Sequence, residues 1–193
     1  VEEYELRALD RVLQFASLSF DVAAEEIFPT LLAGAAVVLP RERMLDSTEL
    51  LRLIEHKAVS VLNLPAQFWQ EWMRELELAR ARLPECVRLT VVGSEKVLPE
   101  GAAIWRRFSD SVLLNAYGVS EATITSTLYR PNPDQSRGAQ CLPIGRPIAN
   151  TQVYLLDRNL RTVPIGFVGE LHLGGEALAR GYHGRPELSA DKF

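Results

Sequence analysis

Two stretches of the chain bring together side chains that do chemistry. In FDVAAEEIF (Phe20–Phe28), Asp21 and Glu25 stand four positions apart. Four residues is close to one helical turn, so both carboxylates share a face. A carboxylate at a strand-to-helix junction suits a substrate ammonium group. The plainer reading is an N-cap aspartate with a solvated glutamate beside it, both favourable to the helix dipole. The second stretch is NAYGVSEATI (Asn115–Ile124). Asn115 can read a base edge, Tyr117 can stack on a flat ring, and Gly118 lets backbone come close. Ser120 can donate to a phosphate, and Glu121 can ligate a hard cation such as magnesium. The same residues also fit a helix N-terminus with a serine cap and an acid in its first turn.

Other candidates carry less. VVGSEK (Val91–Lys96) is a glycine turn after a strand, common in α/β proteins. GGEALARG (Gly174–Gly181) lacks the strand, turn, helix and spaced glycines of a dinucleotide fingerprint. His56, His172 and His183 are scattered and form no Ser/His/Asp set. Cys86 and Cys141 match no metal knuckle or redox pair, and two free thiols fit a reducing cytosol. The rings of Phe68, Trp69 and Trp72 read as core packing rather than a stacking platform.

The elements that must position these groups alternate. RVLQFA (Arg11–Ala16), AAVVLP (Ala35–Pro40), VSVLNLP (Val59–Pro65), VRLTVVG (Val87–Gly93) and SVLLNAYG (Ser111–Gly118) read as strands. Between them lie helices: one from Asp21 with Val22, Ile27, Leu31 and Leu32 as its apolar face, and one capped by Asp46 or Ser47. A third spans Ala66–Ala79 with Phe68, Trp72, Leu76 and Ala79 on one side, and a fourth opens at Pro99 and ends near Phe108. The pattern predicts an α/β fold, a flavodoxin-like parallel sheet flanked by helices, over residues 1–130. Right-handed crossovers gather the strand C-termini on one edge, where ligands of such sheets bind. Both candidate stretches fall there. After a polar connector, PNPDQSRGAQCLP, short antiparallel strands predict a β-rich subdomain over 131–193, where PELSADKF begins a helix.

Composition narrows the classes. The chain has 193 residues, 47% of them hydrophobic, which suits a packed core and excludes disorder. A net charge of −4 offers no basic excess for nucleic acid. The longest apolar run, Phe28–Leu39, is broken by Pro29 and Gly34 and falls short of the about 20 residues that cross a bilayer. A cytoplasmic protein without a membrane partner is expected.

Four stretches in order, FDVAAEEIF, NAYGVSEATI, PIGRPIANTQVYLLD (Pro143–Asp157) and GELHLGGEALARGYHGRPELSADKF (Gly169–Phe193), resemble the adenylation domains of nonribosomal peptide synthetases, members of the adenylate-forming superfamily. The resemblance covers essentially the whole chain. It implies that an amino acid carboxylate attacks the α-phosphate of ATP, giving aminoacyl-AMP and pyrophosphate. The acyl group then passes to the phosphopantetheine thiol of a carrier protein, with condensation domains as further partners. Such catalysis rests on positioning and charge stabilisation.

By motif, Asp21 matches the aspartate that pairs with the substrate α-ammonium. Tyr117 matches the ring that packs on adenine, with Gly93, Ser94 and Glu95 on the other side; Asn115 faces the adenine amine, beside Ala116 and Gly118. Ser120 stands where the family has a phosphate-contacting threonine, Glu121 matches the magnesium-associated acid, and Val119 replaces a proline. The side-chain pocket aligns with Asp21, Val22, Glu25, Asn63, Thr90, Val92, Ala116, Ile124 and Thr125. Glu25, a second carboxylate, implies a basic or polar substrate side chain if it faces the pocket; turned outward it is a helix surface residue. The resemblance also implies an internal fragment: the phosphate-binding loop, the ribose-binding aspartate segment and the C-terminal subdomain with its lysine lie outside Val1–Phe193. Alone, such a fragment is expected to fold, to expose apolar surface and to be inactive. An acyl- or aryl-acid ligase of the same superfamily, or a non-catalytic nucleotide- or partner-binding module, are the alternatives.

Overall fold

The computed structural model describes residues 1–40, 46–132 and 140–193; part of the expected connector, residues 133–139, lies outside them. Five strands form a parallel array: β1 (Arg11–Leu13), β2 (Ala36–Val38), β3 (Val61–Pro65), β4 (Leu89–Gly93) and β5 (Val112–Tyr117), in the order β2-β1-β3-β4-β5. This is the flavodoxin-like order, with its switch point between β1 and β3. The sheet then departs from the all-parallel expectation. β6 (Thr127–Tyr129) and β7 (Arg146–Pro147) add antiparallel to β5, so the large sheet runs past residue 130. A separate antiparallel pair, β8 (Thr151–Leu156) and β9 (Glu170–Gly175), carries the β-rich region.

The helices are α1 (Val22–Leu32), α2 (Ser47–Lys57), α3 (Ala66–Ala79), α4 (Pro99–Phe108) and α5 (Pro186–Lys192). Right-handed crossovers put α1 on one face of the sheet and α2, α3 and α4 on the other, and the two cores divide accordingly. Val61, Leu89 and Val91 pack with Leu6 and Tyr4 on the α1 side; Leu62, Leu64 and Val92 pack with Leu50, Trp69, Trp72 and Trp105 on the other. Trp69 and Trp72 are buried in that core as expected, and Gly101 is small because a Cβ there would come within 2.6 Å of the Trp69 ring. Asp46 caps α2 in a capping box with Glu49, each side chain accepting from the other's backbone N–H at 2.8 and 3.1 Å. On α3, Ala79 is exposed, and Met73 takes the inward place.

α1 corrects the periodicity reading. Its buried residues are Ala23, Glu26 and Thr30, while Leu31 and Leu32 are exposed. The reason lies in β1, which stops at Leu13 instead of continuing to Ala16. The N–H groups of Phe15 and Ala16 donate to the Glu26 carboxylate at 3.1 Å, and Gln14 Nε2 donates at 3.2 Å. A buried carboxylate replaces the strand ladder there, and it fixes the roll of α1. That roll turns Asp21 and Glu25 toward the sheet edge.

Candidate functional site

Beyond the C-terminal ends of β3, β4 and β5 lies a crevice of about 360 Å³. α1 contributes Asp21, Val22 and Glu25 to it, with Phe20 just before the helix. The strand ends contribute Asn63, Gly93, Ser94, Ala116 and Gly118. The loop after β5 closes it with Val119, Ser120, Glu121, Ile124 and Thr125. Residues far apart in sequence therefore meet beyond the carboxyl ends of the parallel strands, as expected for this topology.

The loop after β5 is not the start of an α-helix. Ser120–Ala122 make a single 3₁₀ turn, and Thr123 and Ile124 follow with φ of 56° and 73°. Two successive left-handed residues reverse the chain so that Ser126 N–H donates to the Tyr117 carbonyl and β6 pairs with β5. A β-branched residue rarely adopts such a φ, and strain of this kind concentrates at functional sites. Gly118 accommodates the reversal, because a Cβ there would lie 1.8 Å from the Ile124 carbonyl oxygen.

Glu25 faces the crevice and is no mere helix surface residue. Tyr4 Oη donates to its Oε1 at 3.2 Å and Asn63 Nδ2 to its Oε2 at 3.0 Å. Burial raises its pKa above the ordinary glutamate value, against the opposing pull of Thr125, Tyr4 and Asn63. Asp21 occupies the N-cap position without capping the helix; its carboxylate accepts from the Ser120 hydroxyl. Tyr182 donates to Glu121, and this hydrogen bond holds the Glu121 carboxyl below the usual range. Among the described residues, no Lys, Arg or His lines the crevice. Three carboxylates and no cation make it attractive to positive charge.

Five expected site residues are not in the crevice wall. Thr90 and Val92 point into the helix core on the opposite face of β4, whereas Gly93 lines the crevice and Val91 packs into the core on the α1 side. Side chains alternate along a strand, so neighbouring positions of β4 face opposite sides of the sheet. Asn115 is buried on that opposite face, with its amide donated to the Pro143 carbonyl at 2.8 Å. Tyr117 shares its parity on β5 and stands half-buried outside the crevice. Glu95 is exposed and accepts from the backbone N–H of Gln67 at 3.3 Å. Sequence reasoning missed Tyr4, Phe20 and Tyr182. Nothing in the spacing singles out Tyr4.

The family described as "AMP-binding enzyme" matches residues 1–183. The chain belongs to the AMP-binding enzyme family. Among its relatives, bacitracin synthase 3 of Bacillus licheniformis is 40% identical over 205 residues, covering 100% of the chain and 3% of that protein. Tyrocidine synthase 2 of Brevibacillus parabrevis is 37% identical over 186 residues, covering 95% of the chain and 5% of that protein. The chain thus spans a few hundredths of these relatives' length. Among solved structures, the N-terminal subdomain of Klebsiella oxytoca NpsA, in complex with 3-hydroxybenzoyl-AMSN, superposes with a TM-score of 0.87. Its identity is 25%, covering 100% of the chain and 48% of that subdomain chain. Holo-PA1221, an NRPS protein containing adenylation and PCP domains, gives a TM-score of 0.86 and 27% identity over 96% of the chain and 32% of its own. These likenesses agree with the flavodoxin-like α/β fold and with membership of the AMP-binding family. No helix among the described residues is long and apolar enough to cross a membrane.

Proposed function

We propose that the chain is the substrate-selecting core of an amino-acid-activating adenylation domain of a nonribosomal peptide synthetase, forming aminoacyl-AMP from ATP. The observation that supports this best is the pairing of Asp21 and Glu25 in one crevice that no cation lines among the described residues. Asp21, on the crevice wall, receives the α-ammonium; Glu25, deeper and hydrogen-bonded, receives a basic or polar side chain. An aryl or acyl acid without an ammonium group would set its own negative charge against Asp21. This favours an amino acid over the aromatic acid named for NpsA.

ATP would lie beyond the strand ends. Gly93, Ser94 and Gly118 line the crevice there, and Tyr117, at the end of β5, is the ring for adenine. Ser120 offers a hydroxyl to phosphate once it leaves Asp21. Magnesium is held in proteins by one or two carboxylates together with substrate phosphates. The single Glu121 carboxylate, kept ionised by Tyr182, fits that demand. When bound, the ion would neutralise phosphate charge; the residues' own part is to orient the two substrates and exclude water. The product would pass to a phosphopantetheine carrier domain in the cytoplasm, with condensation domains alongside. The division into an α/β subdomain holding this site and a β-rich subdomain is part of the proposal.

The test is amino-acid-dependent ATP–pyrophosphate exchange by the chain within its natural flanking sequence. Exchange with a basic or polar amino acid is expected. Exchange with an aryl acid, and none with amino acids, would overturn the proposal.

A further inference from the structure

We infer that the crevice selects a side chain ending in a primary ammonium over one ending in a guanidinium, and that Tyr4 sets this preference through Glu25. The inference rests on the amino-acid-activating reading above. An ionised carboxylate offers about four lone-pair directions on its two oxygens. At Glu25 the protein already uses both oxygens: Tyr4 Oη donates to Oε1 at 3.2 Å and Asn63 Nδ2 to Oε2 at 3.0 Å. The Thr125 hydroxyl approaches the same carboxylate and favours its ionised form.

A guanidinium binds a carboxylate best through two parallel hydrogen bonds, one to each oxygen. That edge is compromised here, because Tyr4, Asn63 and Thr125 together take three of the about four lone-pair directions, which leaves one oxygen with no free pair. An ammonium is a compact point charge with three donors, and one open lone pair suffices for it. Among the described residues the crevice supplies no positive charge of its own, so an arriving ammonium also compensates the half-buried Glu25.

Tyr4 is held in place from behind. Arg88 Nη2 donates to the carbonyls of Tyr4 and Glu5 at 3.2 and 2.9 Å. Arg88 Nε in turn donates to Asp10 at 2.7 Å, and Asp10 accepts from Ser60 Oγ at 2.8 Å. Burial, with Glu25 nearby, raises the Tyr4 pKa, so the phenol remains a donor. Tyr4 is therefore a positioning residue: it acts on the substrate through Glu25.

The experiment is pyrophosphate exchange with lysine, ornithine, arginine and leucine, using the chain in its natural flanking sequence, unmodified and as Tyr4→Phe. In the unmodified protein, kcat/KM for the better of lysine and ornithine should exceed that for arginine by roughly tenfold or more. Tyr4→Phe keeps the ring and frees one lone pair, so this ratio should fall several-fold, carried by a lower KM for arginine. An arginine preference in the unmodified protein overturns the inference while leaving amino acid activation standing. A ratio unchanged by Tyr4→Phe, in a variant that keeps its Tm, overturns the role of Tyr4. Preference for leucine overturns the inference together with the basic-side-chain reading, and exchange with none of the four overturns the inference, with the amino acid and aryl acid exchange of the preceding test deciding amino acid activation separately. Should Tyr4→Phe fail to fold, the unmodified protein's ratio still decides the preference, and Thr125→Val tests the same crowding of Glu25.

Discussion

Ser120 donates its hydroxyl to the Asp21 carboxylate, so the loop after β5 is tied to the first turn of α1 across 99 positions of sequence. The two partners are the groups assigned to phosphate and to the α-ammonium, so each is held by the other until substrates arrive. Asp21→Asn keeps an acceptor for Ser120 and removes the charge. It should leave Tm nearly unchanged and lower kcat/KM for the amino acid by roughly 100-fold, the scale of a lost hydrogen bond to a charged group. Ser120→Ala should cost less than about tenfold toward the amino acid, as a neutral hydroxyl does, and act on the KM for ATP. Exchange kinetics with each substrate varied in turn would separate the two.

Glu26 gives the fold a pH dependence. Burial, outweighing the backbone N–H groups of Ala16 and Phe15 and the side chain of Gln14, raises its pKa from 4.5 to about 7. A carboxyl whose folded value exceeds its unfolded one takes up a proton on folding between those values. Its favourable contribution is therefore complete below about pH 4.5 and declines as pH rises to about 7, by an amount on the order of 3 kcal/mol. Glu26→Gln cannot titrate. Its stability should stay close to that of the unmodified protein at pH 5, change less between pH 5 and pH 8, and exceed that of the unmodified protein at pH 8. Urea unfolding at the two pH values measures these effects.

Glu26 also shows where the sequence was legible and where it was not. α3 was readable to the residue and α4 nearly so, because Pro65 and Pro99 punctuate their starts and their apolar spacing is regular. α1 was readable as a helix, but its facing was not. Periodicity assigns the inward side to leucines, while the structure gives it to Ala23, Glu26 and Thr30, since loop N–H groups needed an acceptor. The crevice residues on α1 and the β5 loop followed from residue type and position at the strand ends. The facing of Thr90 and Val92 did not, because LTVVG is apolar or small on both faces and its pattern does not say which side meets the crevice. Tyr4 was invisible, as its partner Glu25 lies 21 positions away with no local pattern joining them.

The Asp10–Arg88 pair anchors the segment that carries Tyr4. Burial alone would raise the Asp10 pKa, but hydrogen bonds from Arg88, the Arg7 backbone and Ser60 lower it from 3.8 to about 2. A depressed value means stability that is complete above about pH 4 and lost as pH falls toward 2. With Arg88 one-third exposed, screening limits the contribution to about 2 kcal/mol. Arg88→Met strands a buried carboxylate and releases two carbonyls. It should destabilise at neutral pH by about 3 kcal/mol or more and remove most of the acid-dependent loss. Thermal unfolding between pH 2.5 and pH 7 would show both.

Gly118 is the geometric pivot of the crevice. Its side-chain position is filled by the Ile124 carbonyl, which a Cβ would approach to 1.8 Å, with the Ser126 nitrogen at 2.8 Å. Neither atom belongs to a flexible side chain, so Gly118→Ala must push the reversed loop off the end of β5. The displaced segment carries Ser120 and Glu121 on one side of the turn and Ile124 and Thr125 on the other. Substrate binding should therefore suffer more than folding does. A loss of about 2 kcal/mol in stability, within the range for steric overpacking, should accompany a loss of at least roughly 100-fold in kcat/KM for both amino acid and ATP. Gly166→Ala is the matched control: it too adds a methyl to a glycine, but no atom lies within 4 Å of the added Cβ and Gly166 lies outside the crevice wall. Its φ of 90° predicts a stability cost without a loss of activity. Calorimetry and exchange kinetics on the two variants would distinguish a lost site from a weakened fold.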